Sequence, residues 1–107
     1  MKKREIILAC VFFSDSSDSK VRPAIILSDD SYHSGGFLLV SAITTASDDY
    51  CLPIGDKESD CKLESGSGAR FDGIIKLQEK QVIKTIGRIS PEFHAKLVEK
   101  IIGMIKR

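Results

Sequence analysis

At 107 residues the chain has room for one compact domain with its own core and not for two ordinary ones, so residues 1–107 are read as a single domain. A hydrophobic fraction of 42%, a charged fraction of 29% and a formal net charge of +1 are those of a soluble globular protein, and they exclude a chain that coats nucleic acid through bulk charge. No apolar run approaches the roughly 18 residues of a membrane span.

The opening Met1-Lys2-Lys3-Arg4-Glu5, followed by the apolar run 6–13, has the outline of a signal peptide. The run is too short, however, and leads into Ser14-Asp15-Ser16-Ser17-Asp18 rather than a small-residue cleavage site, so it is read as the first strand of a cytoplasmic protein. Its β-branched and aromatic residues show no polar alternation, which predicts a strand covered on both faces. The Ser/Asp stretch 14–19 cannot pack and is expected to be exposed and mobile. Lys20-Val21-Arg22-Pro23 then feeds a second covered strand, 24–27. Pro23 has a fixed φ and no N–H, which suits the start of a strand and biases Arg22 toward an extended backbone, presenting its guanidinium in one direction.

Ser28-Asp29-Asp30-Ser31 carries capping chemistry for a short helical turn before Gly35-Gly36. A third strand, 37–45, starts apolar and ends in the hydroxyls of Thr44 and Thr45. The polar stretch 46–68 offers weak strand candidates at 50–54 and near 62–64. Clear strand patterns return at 70–77 and 82–89, joined by a charged turn. Ser90 is a natural N-cap, with Pro91 at the first helical position and Glu92, Lys106 and Arg107 complementing the dipole of a terminal helix. Phe93, Leu97, Ile101 and Ile105, with Val98 and Ile102, form its apolar stripe, which is core or interface.

Charge is uneven along the chain. Residues 14–64 hold ten acids against four bases and residues 76–107 eight bases against three acids, which predicts a basic face or end. Strands first and one long helix last predict a mainly β protein with a C-terminal helix, a small antiparallel barrel. So much apolar strand for so short a chain also predicts a two-fold dimer.

Cys10, Cys51 and Cys61 cannot all pair within one chain and lack metal-binding spacing, so they are read as buried or incidental thiols. His33 in a polar turn and His94 on the outer side of the helix are assigned to the surface. There is no Ser/His/Asp triad, phosphate-binding P-loop or metal cluster, and Gly66-Ser67-Gly68 reads as a flexible turn rather than a phosphate cradle. What remains is a polar set at strand mouths: Arg22, Thr44, Thr45, Arg70 and Asp72. Arg70 and Asp72, two apart on a strand, point to one face. They could form a local ion pair, or they could serve phosphoryl chemistry, in which a carboxylate takes a proton from a hydroxyl and guanidinium groups neutralise the crowded phosphate without a metal.

Lys20 to Ser28, Ala42-Ile43-Thr44-Thr45, Arg70-Phe71-Asp72 and Ile86-Gly87-Arg88-Ile89-Ser90 resemble, in order and spacing, the successive blocks of the MazF/PemK family of toxin–antitoxin endoribonucleases. The resemblance implies an SH3-like barrel with a C-terminal helix, a homodimer, a cognate antitoxin protein, no cofactor, and contact with DNA only through a toxin–antitoxin complex. The implied activity is metal-independent cleavage of single-stranded RNA by attack of the 2′-hydroxyl, leaving a 2′,3′-cyclic phosphate. Carried over, Asp72 falls at the general base and Arg70 at the general acid proposed for the PemK branch. Arg22 and Thr44 fall where MazF-like members hold the scissile phosphate, and Lys20, Thr45 and Ser67 are assigned to RNA binding. Departures are Arg4-Glu5 in place of the common Gly-Asp, Phe12 in place of a loop proline, and no histidine in 14–19. The alternative on the same barrel is a CcdB-like module that acts only by gripping a protein partner.

Overall fold

The computed structural model describes residues 2–12, 19–33, 35–46 and 48–106, so the Ser/Asp stretch 14–18 and its expected exposure and mobility lie outside the described residues, as does the side chain of His33. The elements in chain order are β1 (Glu5–Phe12), β2 (Ser19–Ile26), a one-turn α1 (Asp30–His33), β3 (Phe37–Thr44), β4 (Cys51–Pro53), β5 (Gly68–Gln78), β6 (Val82–Arg88) and α2 (Pro91–Lys106). The strands form a single antiparallel sheet in the order β4-β5-β3-β2-β1-β6, curled like a barrel without its ladder closing on itself.

Both faces of β1 and of residues 24–26 of β2 are covered, as their unbroken apolar runs predict. Ile6 and Ile25 face a core shared with Ile43, Ala69 and the α2 residues Phe93, Leu97 and Ile101. Their neighbours Ile7, Ala24 and Ile26 face the other way, into a second core with Ala9, Val11, Leu38, Val40 and Leu77. The period of two along a strand thus divides one run between two cores, one capped by the helix and one enclosed by the sheet itself.

Four features depart from the sequence-based expectations or go beyond them. The strands β5 and β6 form as predicted but are not neighbours: a 3-10 turn at Glu79–Gln81, capped reciprocally by Gln78 and Gln81, sends β6 to pair with β1 at the far edge. Residues 62–64 make no strand; instead Ser59 forms an isolated bridge with Ile89. His94 is buried, 8% exposed, because it shares the spacing of Leu97 and Ile101 on α2 and so faces inward with them. Its Nε2 has no hydrogen-bond partner, and burial, reinforced by the nearby Lys3 and Arg4 charges, pushes its pKa down. The helical stripe is also shorter than its pattern: Ile102 and Ile105 are 45% and 70% exposed.

The helix begins as predicted, with the Ser90 hydroxyl accepting the Phe93 N–H at 3.1 Å. At α1, Asp29 accepts from the Ser31 hydroxyl and the Tyr32 N–H, which hold its carboxyl below the usual range. Among the described residues no helix is long and apolar enough to cross a membrane.

Candidate functional site

The β2–β3 ladder pairs only Ala24 with Ala42, Ile25 with Ser41 and Ile26 with Val40. Continued in that register it would set Pro23 against Ile43 and Arg22 against Thr44. Proline has no N–H to offer, and the ladder stops there. The gap between the strands is a depression of about 220 Å³ lined by Arg22, Pro23, Ile43, Thr44, Thr45, Leu63, Glu64 and Ser67. Strand β2 begins at Ser19 rather than at residue 24, so Lys20 and Arg22 are strand residues, exposed, with Lys20 paired to Val11 further out.

Ser67 is buried in a reverse turn, its N–H and hydroxyl donating to the Glu64 carbonyl at 3.1 and 2.6 Å, with Gly66 at φ +83°. That φ favours glycine, so Glu64-Ser65-Gly66-Ser67 is a hydrogen-bonded turn whose geometry the glycine permits. With its N–H already used, Ser67 belongs to the wall of the depression rather than to a phosphate cradle.

Next to this depression β5 departs from regular pairing. Ser41 opposes Ile74 while Ile43 opposes Ala69, so Arg70, Phe71, Asp72 and Gly73 bulge opposite Ala42. The Ser41 hydroxyl donates to the Arg70 carbonyl at 2.7 Å and the Phe71 N–H donates to the Tyr50 carbonyl at 3.0 Å, which pins the bulge on both sides. Thr44 pairs with Gly68, two residues before Arg70, so the bulge adjoins the depression.

Within the bulge Arg70 grips Asp72 with two parallel hydrogen bonds, Nε to Oδ1 at 2.9 Å and Nη2 to Oδ2 at 3.1 Å. Its Nη1 donates to Asp48 at 2.9 Å and reaches the Cys51 sulfur at 3.6 Å. Hydrogen bonds to Asp72 and then to Asp48 raise the Arg70 pKa above its already high ordinary value. Asp48 is held below the usual carboxylate range by the Tyr50 N–H and then by Arg70, and burial pushes the Cys51 thiol up.

The expected residues thus fall into two adjoining groups. Arg22, Thr44, Thr45 and Ser67 share the depression, whereas Arg70 and Asp72 form an ion pair in the neighbouring bulge and do not line it. Sequence reasoning missed Glu64 and Asp48, because both come from the polar stretch 46–68, which carries no periodicity to orient a side chain. A larger cleft of about 620 Å³ between α2 and the β4–β5 region, walled by Tyr50, Phe71, Lys96 and Lys100, contains none of the expected residues. Among the described residues no three His, Cys, Asp or Glu side chains are grouped to hold a metal ion.

Residues 2–105 match the family of PemK-like, MazF-like toxins of type II toxin–antitoxin systems. The chain belongs to this family. No curated protein sequence matches it significantly. Among solved structures, the PemK/MazF-like chain is similar to an endoribonuclease in complex with its cognate antitoxin from a mycobacterial species, at 13% identity and a TM-score of 0.79 over 99% of this chain and 95% of that one. A MazE–MazF structure from Deinococcus radiodurans gives 11% identity and a TM-score of 0.81 over 99% and 96%. A MazF toxin from Mycobacterium tuberculosis gives 21% identity and 0.76 over 96% and 97%. At these identities the likeness shows the fold: a six-stranded, barrel-like sheet with a C-terminal helix, spanning nearly the whole of each chain.

Proposed function

We propose that this PemK/MazF-like toxin is an endoribonuclease that cuts single-stranded RNA without a metal ion. The observation that supports this most is the meeting of Arg22 with the hydroxyls of Thr44 and Thr45 at the splayed end of β2 and β3. A planar guanidinium can bridge two phosphate oxygens, and a threonine hydroxyl adds a neutral donor, so the depression suits a phosphodiester. Lys20, exposed further along β2, and Ser67 in the wall would extend the RNA track.

In the proposed reaction Asp72 takes the proton of a 2′-hydroxyl, whose oxygen attacks the adjacent phosphorus. Arg22 and Thr44 stabilise the charge that builds on the non-bridging oxygens. The two carboxylates on Arg70 make its proton harder to lose, so Arg70 serves better as a fixed positive charge than as a proton donor. The 5′ oxygen leaves, taking a proton from water, and the products are a 2′,3′-cyclic phosphate and a 5′-hydroxyl. The working unit is a two-fold dimer in the cytoplasm, in which a second copy covers apolar surface such as Ile102 and Ile105, and a cognate antitoxin silences it.

The test is incubation of the purified protein with a long single-stranded RNA in excess EDTA, with chemical analysis of the new ends. Cleavage with cyclic-phosphate ends is expected. Activity that vanished in EDTA and returned with magnesium would overturn the mechanism, and a protein that cut no RNA under either condition would favour a barrel that only grips a partner.

A further inference from the structure

We infer that Glu64 is a specificity-determining residue that selects guanine for the nucleotide bound in the Arg22 depression. This rests on the endoribonuclease assignment and supplies the base preference that the assignment leaves open. The depression combines two kinds of wall. Pro23, Ile43 and Leu63 are apolar, whereas Arg22 and Thr44 are suited to a phosphate. At about 220 Å³ it falls below the roughly 300–1,000 Å³ of sites for drug-sized ligands, a scale suited to one flat base.

Glu64 is the one carboxylate in that lining, and among the described residues no hydrogen bond or ion pair engages its side chain. A carboxylate beside a phosphate site repels RNA in general, so it favours binding only where the base satisfies it. Guanine alone presents two adjacent N–H donors on its Watson–Crick edge, N1–H and the N2 amine, which match the two oxygens of a carboxylate. Adenine and cytosine each set a lone pair beside their amine, and uracil flanks its single N–H with two carbonyls, so each brings an acceptor against the negative charge. Single-stranded RNA leaves this edge open to a side chain.

The backbone leading to Glu64 is tied to the rest of the fold. Its turn belongs to a segment clasped to the end of β6: the Asp60 N–H donates to the Arg88 carbonyl at 3.0 Å and the Arg88 N–H returns to Asp60 Oδ1 at 2.6 Å. The Ser90 N–H donates to the Glu58 carbonyl at 2.7 Å. Gly87 makes this approach feasible, since a Cβ there would lie 2.6 Å from both Asp60 Oδ1 and the Cys61 Cβ. The Ile86-Gly87-Arg88-Ile89-Ser90 block therefore anchors the 58–61 segment from which the chain runs on to Glu64.

The experiment maps every cut made in a mixed-sequence single-stranded RNA by the 107-residue protein and by Glu64→Gln, with melting curves to confirm that both are folded. The parent is expected to require guanine at one position beside the cut. Glu64→Gln, which opposes an amide N–H to guanine's donors, should lower that preference by about 10- to 100-fold, the scale of one bidentate base contact. Substituting inosine, which lacks the N2 amine, should slow the parent and leave Glu64→Gln unaffected. Cuts without a shared guanine, or an unchanged preference in the variant, would overturn the inference. If the parent cut no RNA, the endoribonuclease assignment would fail separately. Guanine selection would then be decided by fluorescence anisotropy with oligouridylates bearing one central guanine, adenine or cytosine: tighter binding of guanine by the parent alone supports it, and equal affinities refute it.

Discussion

Arg22 and Arg70 stand in adjoining parts of one sheet but in different company. Arg22 lines a depression whose other polar groups are hydroxyls and one carboxylate, with room left for a ligand. Arg70 has Nε, Nη1 and Nη2 each donating to a carboxylate, inside a bulge pinned by Ser41 and Tyr50. A phosphate entering the depression meets the Thr44 and Thr45 hydroxyls beside Arg22, whereas one approaching Arg70 must compete with Asp72 and Asp48. In the proposed reaction the two arginines accordingly have different work: Arg22 would contact the scissile phosphate, and Arg70 would hold Asp72 where a base is needed.

The sharpest way to break this comparison is Asp72→Asn, which keeps the shape and removes the base. A fall in RNA cleavage rate of about 10²- to 10⁴-fold is expected in single-turnover assays, the loss typical of a general base. A variant as fast as the parent would reduce the Arg70–Asp72 pair to a structural contact and leave the Arg22 depression to act without it. Arg22→Lys should come next, at about 10²-fold, because an ammonium keeps the charge and loses the fork that bridges two oxygens. Thr44→Ala should be milder than either.

A smaller effect separates the two arginines directly. Asp48→Asn removes one of the carboxylates on Arg70 and leaves the pairing with Asp72. Cleavage should change by no more than a few-fold, with a steeper dependence on salt if the released Nη1 turns toward RNA. A collapse in activity would mean that Asp48, and not the bulge alone, sets the geometry of Asp72.

The smallest effect is a background that any pH–rate profile must contain. Burial and the Lys3 and Arg4 charges hold the His94 pKa below its ordinary value of about 6.5, so near and below that pH the unfolded chain binds a proton that the folded one resists. The contribution of neutral His94 is complete above pH ~6.5 and is lost as pH falls through the lowered folded value. Melting curves at pH 7.5 and 5.5 should therefore show a shallower loss for His94→Leu than for the parent. Equal losses would show that His94 is not what makes the fold acid-sensitive.

Local chemistry alone determined much of this protein. Unbroken β-branched runs marked strands with two buried faces, Ser90-Pro91 marked the start of α2, and the Arg-Pro and Thr-Thr pairs marked where the pairing of β2 with β3 stops beside the depression. Each of these follows from φ restriction, capping or side-chain period, which act over a few residues. What only the tertiary structure decided depends on contacts between distant segments. Whether β6 would pair with β5 or with β1 turned on a 3-10 turn and on which sheet edge was open. Glu64 reached the Arg22 depression because Gly87 lets the Asp60–Cys61 turn settle on β6, a steric fit that no pattern near Glu64 encodes. His94 had the spacing of a buried residue and the chemistry of a surface one, and the packed fold settled it in favour of the spacing.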